Sequence, residues 1–258
     1  MMIDSGRKER LAWRVYATRE EMGLSAAAYT EGLMTMLLEK QPEIRMIFAA
    51  APSQNEMLAG LLHSPSIDWS RVTAFHMDEY LGLSADAPQG FGRFLRERLL
   101  GRLPFKTVHY LQGQTENPEA ECARYATLLQ EAPIDICCLG IGENGHIAFN
   151  DPPVADFHDP VWVKPVELDD VCRQQQVNDG CFASLDEVPT HALTLTIPAL
   201  TSAAHMVCVV PAQTKRDAVR RLLSEEATSE ALPASILRHH PHAQLFLDSQ
   251  SGNDGNND

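Results

Sequence analysis

Short apolar runs alternate with stretches of helical periodicity along most of this chain, and that alternation restricts it to an α/β architecture. The runs are Ile44 to Ala50, Val72 to Met77, Ile134 to Leu139, Met206 to Val210 and Gln244 to Leu247, with Ala192 to Ile197 alternating Leu and Thr. Runs this short and this apolar suit strands buried on both faces of a parallel sheet. Between them lie helical patterns at Arg19 to Lys40, Ser53 to Leu62, Gln89 to Leu100, Asn117 to about Gln130 and Ala212 to Leu223. Thr18 is placed to cap the first, with Glu20 and Glu21 in its opening turn, and Asn117-Pro118 is a cap followed by proline at the first helical position. The expected fold is a three-layer, Rossmann-like α/β domain, a mostly parallel open sheet with helices on both faces. One domain is expected over residues 1–248, with an irregular stretch from Pro152 to Val188 forming a lid or insertion, and a disordered polar tail over 249–258.

Composition narrows the function. The 258 residues are 44% hydrophobic, enough for a substantial core without disulfides. Six cysteines show no zinc-like spacing, and Cys137 and Cys138, adjacent in an expected strand, point to opposite faces as small core residues. Free thiols fit a reducing compartment, no apolar leader follows the first residues and no run could span a bilayer, so a cytoplasmic protein is expected. A formal net charge of −14 argues against a nucleic-acid surface. His239, His240 and His242 are interrupted by Pro241 and read as a turn, not a metal tract.

Three strand ends carry the candidate chemistry. Gly142-Glu-Asn-Gly-His146-Ile-Ala-Phe-Asn-Asp151 follows the strand at Ile134 to Leu139 and sets an imidazole five residues before a carboxylate. Open α/β sheets bind ligands at the carboxyl ends of their strands, and an imidazole titrates near neutral pH. Asp78 and Glu79 end the strand at Val72 to Met77; one can face the crevice as a general base while the other makes structural bonds. Ser53 opens the helix after Ile44 to Ala50, at a helix N-terminus suited to phosphate although the turn lacks glycine. Lys215 and Arg173 are the cations available to an anionic group. His76 reads as a core or crevice-wall residue. A Walker loop, a dinucleotide fingerprint and a serine nucleophile elbow are absent.

Asp78-Glu79-Tyr80 after a strand, together with Gly145-His146-Ile147-Ala148-Phe149-Asn150 and an acid at 151, resembles the glucosamine-6-phosphate deaminase family, which shares its fold with 6-phosphogluconolactonase. The resemblance extends from about Arg19 to Asp248. It implies isomerisation of an amino-sugar phosphate with loss of ammonia, glucosamine 6-phosphate to fructose 6-phosphate, with no cofactor or metal needed. Within it, Asp78 matches the base that moves a proton between carbons 1 and 2, His146 the residue that opens the sugar ring, and Asp151 the acid paired with that histidine. Candidate catalytic residues are thus Asp78, His146, Asp151 and Asn144. Candidate substrate-binding residues are Ser53, Glu79, Gly145, Lys215 and Arg173. The expected partner is a small sugar phosphate, and a homo-oligomer is left open. The chain departs from the family in having Asn144 where many members have Asp, Asp151 in place of Glu, and Ala50-Ala-Pro-Ser53 at the phosphate turn. The family's arginine aligns a few residues from Arg173, beside Gln174 to Gln176. These departures keep two alternatives open: lactone hydrolysis or isomerisation without deamination on the same fold, and non-catalytic binding of a sugar phosphate.

Overall fold

The computed structural model describes residues 1–252. An antiparallel hairpin, β1 (Met2–Lys8) and β2 (Leu11–Tyr16), opens the chain. Helix α1 (Arg19–Lys40) follows, its N-terminus capped by Thr18, which accepts from the Glu21 N–H at 3.2 Å. Then come β3 (Ile44–Phe48), α2 (Asn55–Leu62), β4 (Val72–His76), β5 (Asp78–Tyr80) and α3 (Phe91–Leu95), the last continuing as a π-helical turn over Arg96–Leu100. Next are β6 (Thr107–His109), α4 (Pro118–Gln130), β7 (Ile136–Leu139), β8 (Val163–Glu167) and α5 (Asp170–Asn178). The chain continues through β9 (His191–Leu195), α6 (Ile197–Thr201), β10 (His205–Val210), α7 (Arg216–Ser224), β11 (Ala243–Asp248) and α8 (Ser249–Gly252).

Eight strands form one sheet in the order β1-β2-β11-β10-β7-β3-β4-β6. Every pairing in it is parallel except β1 with β2. Helices α1, α2 and α3 supply apolar residues to the core on one face, and α4, α6 and α7 to the core on the other. Cys137 and Cys138 divide between those two cores, as alternation along β7 requires. The order reverses around β3, with β4 on one side and β7 on the other, so a crevice opens at the carboxyl ends of β3, β4, β7 and β10.

One apolar strand carries a cation. Arg45 in β3 is buried, and its guanidinium donates to the carbonyls of Leu129, Leu128 and Ala132 at the end of α4 and lies 5.0 Å from the centre of the Phe75 ring. It satisfies helix-terminal carbonyls that would otherwise be orphaned, which offsets its own desolvation.

The structure corrects the sequence reading in three places. The strand expected at Ala192 to Ile197 belongs to a second, three-stranded antiparallel sheet, β5-β9-β8. The stretch read as irregular, 152–188, contains β8 and α5. The polar tail expected from Ser249 is helical over Ser249–Gly252, with Ser251 buried and its hydroxyl donating to the Val210 carbonyl at 2.6 Å. Residues 253–258 of that expected tail lie outside the described residues.

Candidate active site

The crevice at the strand ends is a narrow cleft that opens to solvent, lined by Ser53, Asp78, His146, Gln175, Gln176 and Lys215 among others.

The loop after β7 holds His146 from beneath and from one side. Gly142 lies under the imidazole: a Cβ there would stand 2.0 Å from the ring's Cε1. Gly145 takes φ +85°, and its carbonyl accepts from the Ala234 N–H at 2.9 Å. A Cβ on Gly145 would meet Leu232 at 2.4 Å, so this glycine closes the loop onto the segment behind it and does not line the cleft. Its expected substrate contact is corrected accordingly. Ala148, which does line the cleft, holds φ +50°, a left-handed conformation disfavoured for any residue with a side chain.

His146 is pinned through Nδ1, which lies 2.7 Å from Asn144 Oδ1 and 3.1 Å from Asp151 Oδ1. Both partners accept, so Nδ1 carries the proton and Nε2 of the neutral ring keeps its lone pair. Asn144 also accepts from the His146 backbone N–H at 3.0 Å. Its amide nitrogen donates to Asp151 at 3.2 Å and to Asp169 at 3.0 Å. The neutral residue at 144 is therefore chosen by its surroundings: it bridges two carboxylates that a third would repel.

Asp151 is fully buried. Burial alone would raise its carboxyl, but hydrogen bonds from His146, from the Asp169 N–H at 3.0 Å and from Asn144 outweigh it and hold the group below the ordinary aspartate range. The Cys172 thiol lies near the same carboxylate; burial, with the neighbouring charge of Asp151, pushes that thiol well above its ordinary value. The ligand atoms of His146, Asp151 and Cys172 lie within 4.8 Å of one another. They are already joined in this network, and a cation held by all three would have to break the bond between His146 and Asp151.

Asp78 and Glu79 divide as alternation in β5 dictates. Asp78 faces the cleft, is 6% exposed, and its carboxylate accepts no hydrogen bond from any described residue. Burial, with the neighbouring charge of Glu79, pushes it well above the ordinary aspartate value. Glu79 points the other way and accepts from the backbone N–H groups of Tyr80, Phe91 and Gly92 at 2.9–3.1 Å. The expected substrate contact of Glu79 is thus corrected: it pins the start of α3 and is absent from the cleft lining. His76, behind this strand end, is fully buried, accepts from the Leu111 N–H at 2.8 Å and is pushed down to about 3 by burial, hence neutral.

Lys215 is 4% exposed and lines the cleft, its ammonium making no ion pair or hydrogen bond to any described residue. Burial lowers it, partly countered by the charges of Asp179 and Glu143. Ser53 stands at the same cleft, its hydroxyl accepting from Gln54 Nε2 at 3.1 Å. Arg173 does not reach the cleft. Its guanidinium donates to the carbonyls of Leu185 and Val188 at 2.9 and 3.0 Å and pairs with Asp170, so its expected substrate contact is corrected to a role in folding the 185–188 loop. Sequence reading missed Gln175 and Gln176, which α5 brings to the cleft in its place. The signal was present in a run of good helix formers, Arg173 to Gln176, behind the acidic Asp169-Asp170.

Comparison with known proteins agrees with this geometry. The family model described as glucosamine-6-phosphate isomerases/6-phosphogluconolactonase matches residues 17–247. A glucosamine-6-phosphate deaminase of Exiguobacterium sp. is 40% identical over 184 residues, 71% of this chain and 70% of the relative. One of Bacillus thuringiensis is 38% identical over 185 residues, 72% of this chain and 68% of the relative. Among solved structures, a monomeric glucosamine-6-phosphate deaminase superposes with a TM-score of 0.84 at 28% identity, covering 94% of this chain and 98% of that one. A 6-phosphogluconolactonase from Shewanella baltica has a TM-score of 0.77 at 17% identity, covering 95% of this chain and 100% of the other, a likeness of fold. Sequence, sheet order and the residues gathered at the strand ends thus agree: the chain belongs to the glucosamine-6-phosphate isomerase/6-phosphogluconolactonase family.

Proposed function

We propose that this protein converts glucosamine 6-phosphate and water to fructose 6-phosphate and ammonia. The observation that carries the reading is Asp78: a buried carboxylate without a hydrogen-bond partner, raised in basicity, in the same cleft as an oriented histidine and an unpaired lysine. A carboxylate left unpaired and desolvated is a stronger base than one in water, which suits removal of a carbon-bound proton.

In this reading Lys215 and Ser53 hold the phosphate. His146 Nε2 takes the proton of the C1 hydroxyl and returns one to the ring oxygen, opening the ring to the aldehyde. Asp78 then removes the C2 proton, made acidic by the adjacent carbonyl, and delivers it to C1, while a proton of the C2 ammonium passes to the C1 oxygen. The amino group is left as a C2 iminium, water adds to C2, and ammonia departs to leave the ketone. Asp151 keeps the imidazole in one tautomer and supports its charged form when it carries the second proton. Asn144 holds both partners in register.

The test is incubation of purified protein with glucosamine 6-phosphate, with ammonia and fructose 6-phosphate measured together. Equimolar release of both is expected. No turnover of this or any related amino-sugar phosphate would overturn the proposal, and lactone hydrolysis without ammonia would select the other branch of the fold.

A further inference from the structure

The turn between β3 and α2, Ala50-Ala-Pro-Ser53, has no glycine and offers the cleft one hydroxyl, that of Ser53. The next residue, Gln54, is fully buried. Its side-chain amide nitrogen donates to the Val209 carbonyl in β10 at 3.2 Å and to Ser53 Oγ at 3.1 Å. A carbonyl oxygen only accepts, so the nitrogen must face Val209 and the amide has one orientation. Its own oxygen, Oε1, is buried without a partner. Buried polar atoms are almost always partnered, and an apolar side chain of this length would fill the same space without stranding an oxygen. Packing alone therefore does not account for Gln54.

Its position does. Strand β7 lies between β3 and β10, so the Gln54 side chain crosses the end of β7 to reach Val209. Gly140, the residue after β7, lies against this crossing: a Cβ there would stand 3.2 Å from Gln54 Nε2 and 3.4 Å from Ser53 Oγ. Both Gly140 and Ser53 line the cleft, as does Lys215. Ser53 Oγ accepts from Gln54, and its own hydrogen goes to no described residue. A serine hydroxyl rotates to suit its neighbours. A donor already on the oxygen turns its hydrogen away from Gln54, which leaves an O–H free for an anion in the cleft.

We propose that Gln54 is a positioning residue of the anion site: anchored on Val209, it holds the Ser53 hydroxyl as a hydrogen-bond donor to the phosphate of the substrate. This rests on the reading of Ser53 and Lys215 as the groups that hold the phosphate. Gln54 touches no substrate atom and acts through Ser53.

The test is a double-mutant cycle of Gln54→Met and Ser53→Ala, read by titration calorimetry with inorganic phosphate. Ser53→Ala is expected to weaken phosphate by about ten- to a hundredfold, the worth of a hydrogen bond to a charged group. Gln54→Met leaves the hydroxyl in place but free to turn, so a smaller loss of about three- to tenfold is expected. In the Ser53→Ala background Gln54→Met should change nothing. In turnover, Gln54→Met should raise KM for glucosamine 6-phosphate and leave kcat within about twofold, as loss of uniform binding does. Unchanged phosphate binding in Gln54→Met, or an equal further loss in the Ser53→Ala background, overturns the inference and makes Gln54 a structural residue. Should Gln54→Met fail to fold, a crystal structure of wild type with inorganic phosphate decides: a phosphate oxygen is expected on Ser53 Oγ, with Gln54 Nε2 still donating to the same atom. Phosphate seated elsewhere, or an amide turned from Ser53, overturns it. A wild type that binds phosphate on Ser53 but releases no ammonia from glucosamine 6-phosphate sinks the deaminase reading and leaves the role of Gln54 standing.

Discussion

Replacing Asp78 with asparagine should make the protein more stable and nearly inactive. Asp78 is 6% exposed, without a hydrogen-bond partner, and next to Glu79. An ionised group buried in this state costs the fold about 2–3 kcal/mol, more than a neutral amide of the same shape. In a chain of this size, that corresponds to a rise in Tm of about 5–10 °C on replacement. The pH dependence follows from the direction of the shift. The folded-state value lies above the unfolded one, so the folded state holds its proton longer and wild-type stability falls as pH rises through the unfolded value of about 3.9 towards the folded one. The Tm gain of Asp78→Asn is therefore smallest well below the unfolded value, where wild type is protonated in both states, grows as pH rises through it, and is complete once pH exceeds the folded value. Loss of the base should lower kcat by about 10²- to 10⁴-fold in the ammonia-release assay. Differential scanning calorimetry across this pH range, with kinetics on the same preparations, tests both halves. A variant less stable than wild type, with a Tm difference that does not vary with pH, would refute the reasoning and make Asp78 a structural residue.

Asn144→Asp should lose stability at pH 7 and recover most of it near pH 4. It places a carboxylate about 3 Å from those of Asp151 and Asp169, where unit charges repel by about 5 kcal/mol at an effective dielectric of 20 until a proton is taken up. Thermal unfolding at both pH values checks this, and an equal loss at each would contradict it. Lys215→Met should raise the Tm of the unliganded protein, because burial without a partner disfavours the ammonium. The same change should raise KM for a phosphorylated substrate, and in wild type KM should climb on the alkaline side below the ordinary lysine value of about 10.4, as Lys215 loses its proton; a KM that is flat to that value argues against it. Ala148→Gly should leave stability within about 1 kcal/mol of wild type, whereas Ala148→Val should destabilise the loop and slow turnover, because a β-branched residue resists φ +50°. Equal behaviour of the two variants in unfolding and activity assays would show that the backbone at 148 does not matter.

The parts of the fold legible in the sequence were those whose environment is uniform. Central parallel strands such as Ile44–Phe48 and Ile136–Leu139 are buried along their whole length, so they read as unbroken apolar runs. Helix α1 announced itself through Thr18 and its acidic first turn. The N-terminal hairpin escaped because β1 is an exposed edge and because its two-residue turn uses Glu9 at φ +53° where glycine or asparagine would have signalled it. Helix α5 escaped because its residues are mostly polar, and periodic hydrophobicity is what a sequence displays.

The sequence by itself determined the central parallel strands, the loop carrying His146 and Asp151, and the acid pair after β4, because each rests on local pattern: apolar runs, turn glycines, residues adjacent along the chain. Only the tertiary structure decided which member of a pair acts. It turned Asp78 into the cleft and spent Glu79 on three backbone N–H groups. It consumed Arg173 in a loop and put Gln176 at the cleft wall. It surrounded Asn144 with two carboxylates, so that its neutrality fits the site. The physical reason is the same in each case. A side chain's protonation and free valences depend on burial and on partners brought in from other elements, such as Phe91 and Gly92 for Glu79, Leu185 and Val188 for Arg173 and Asp169 for Asn144, and no local pattern records them.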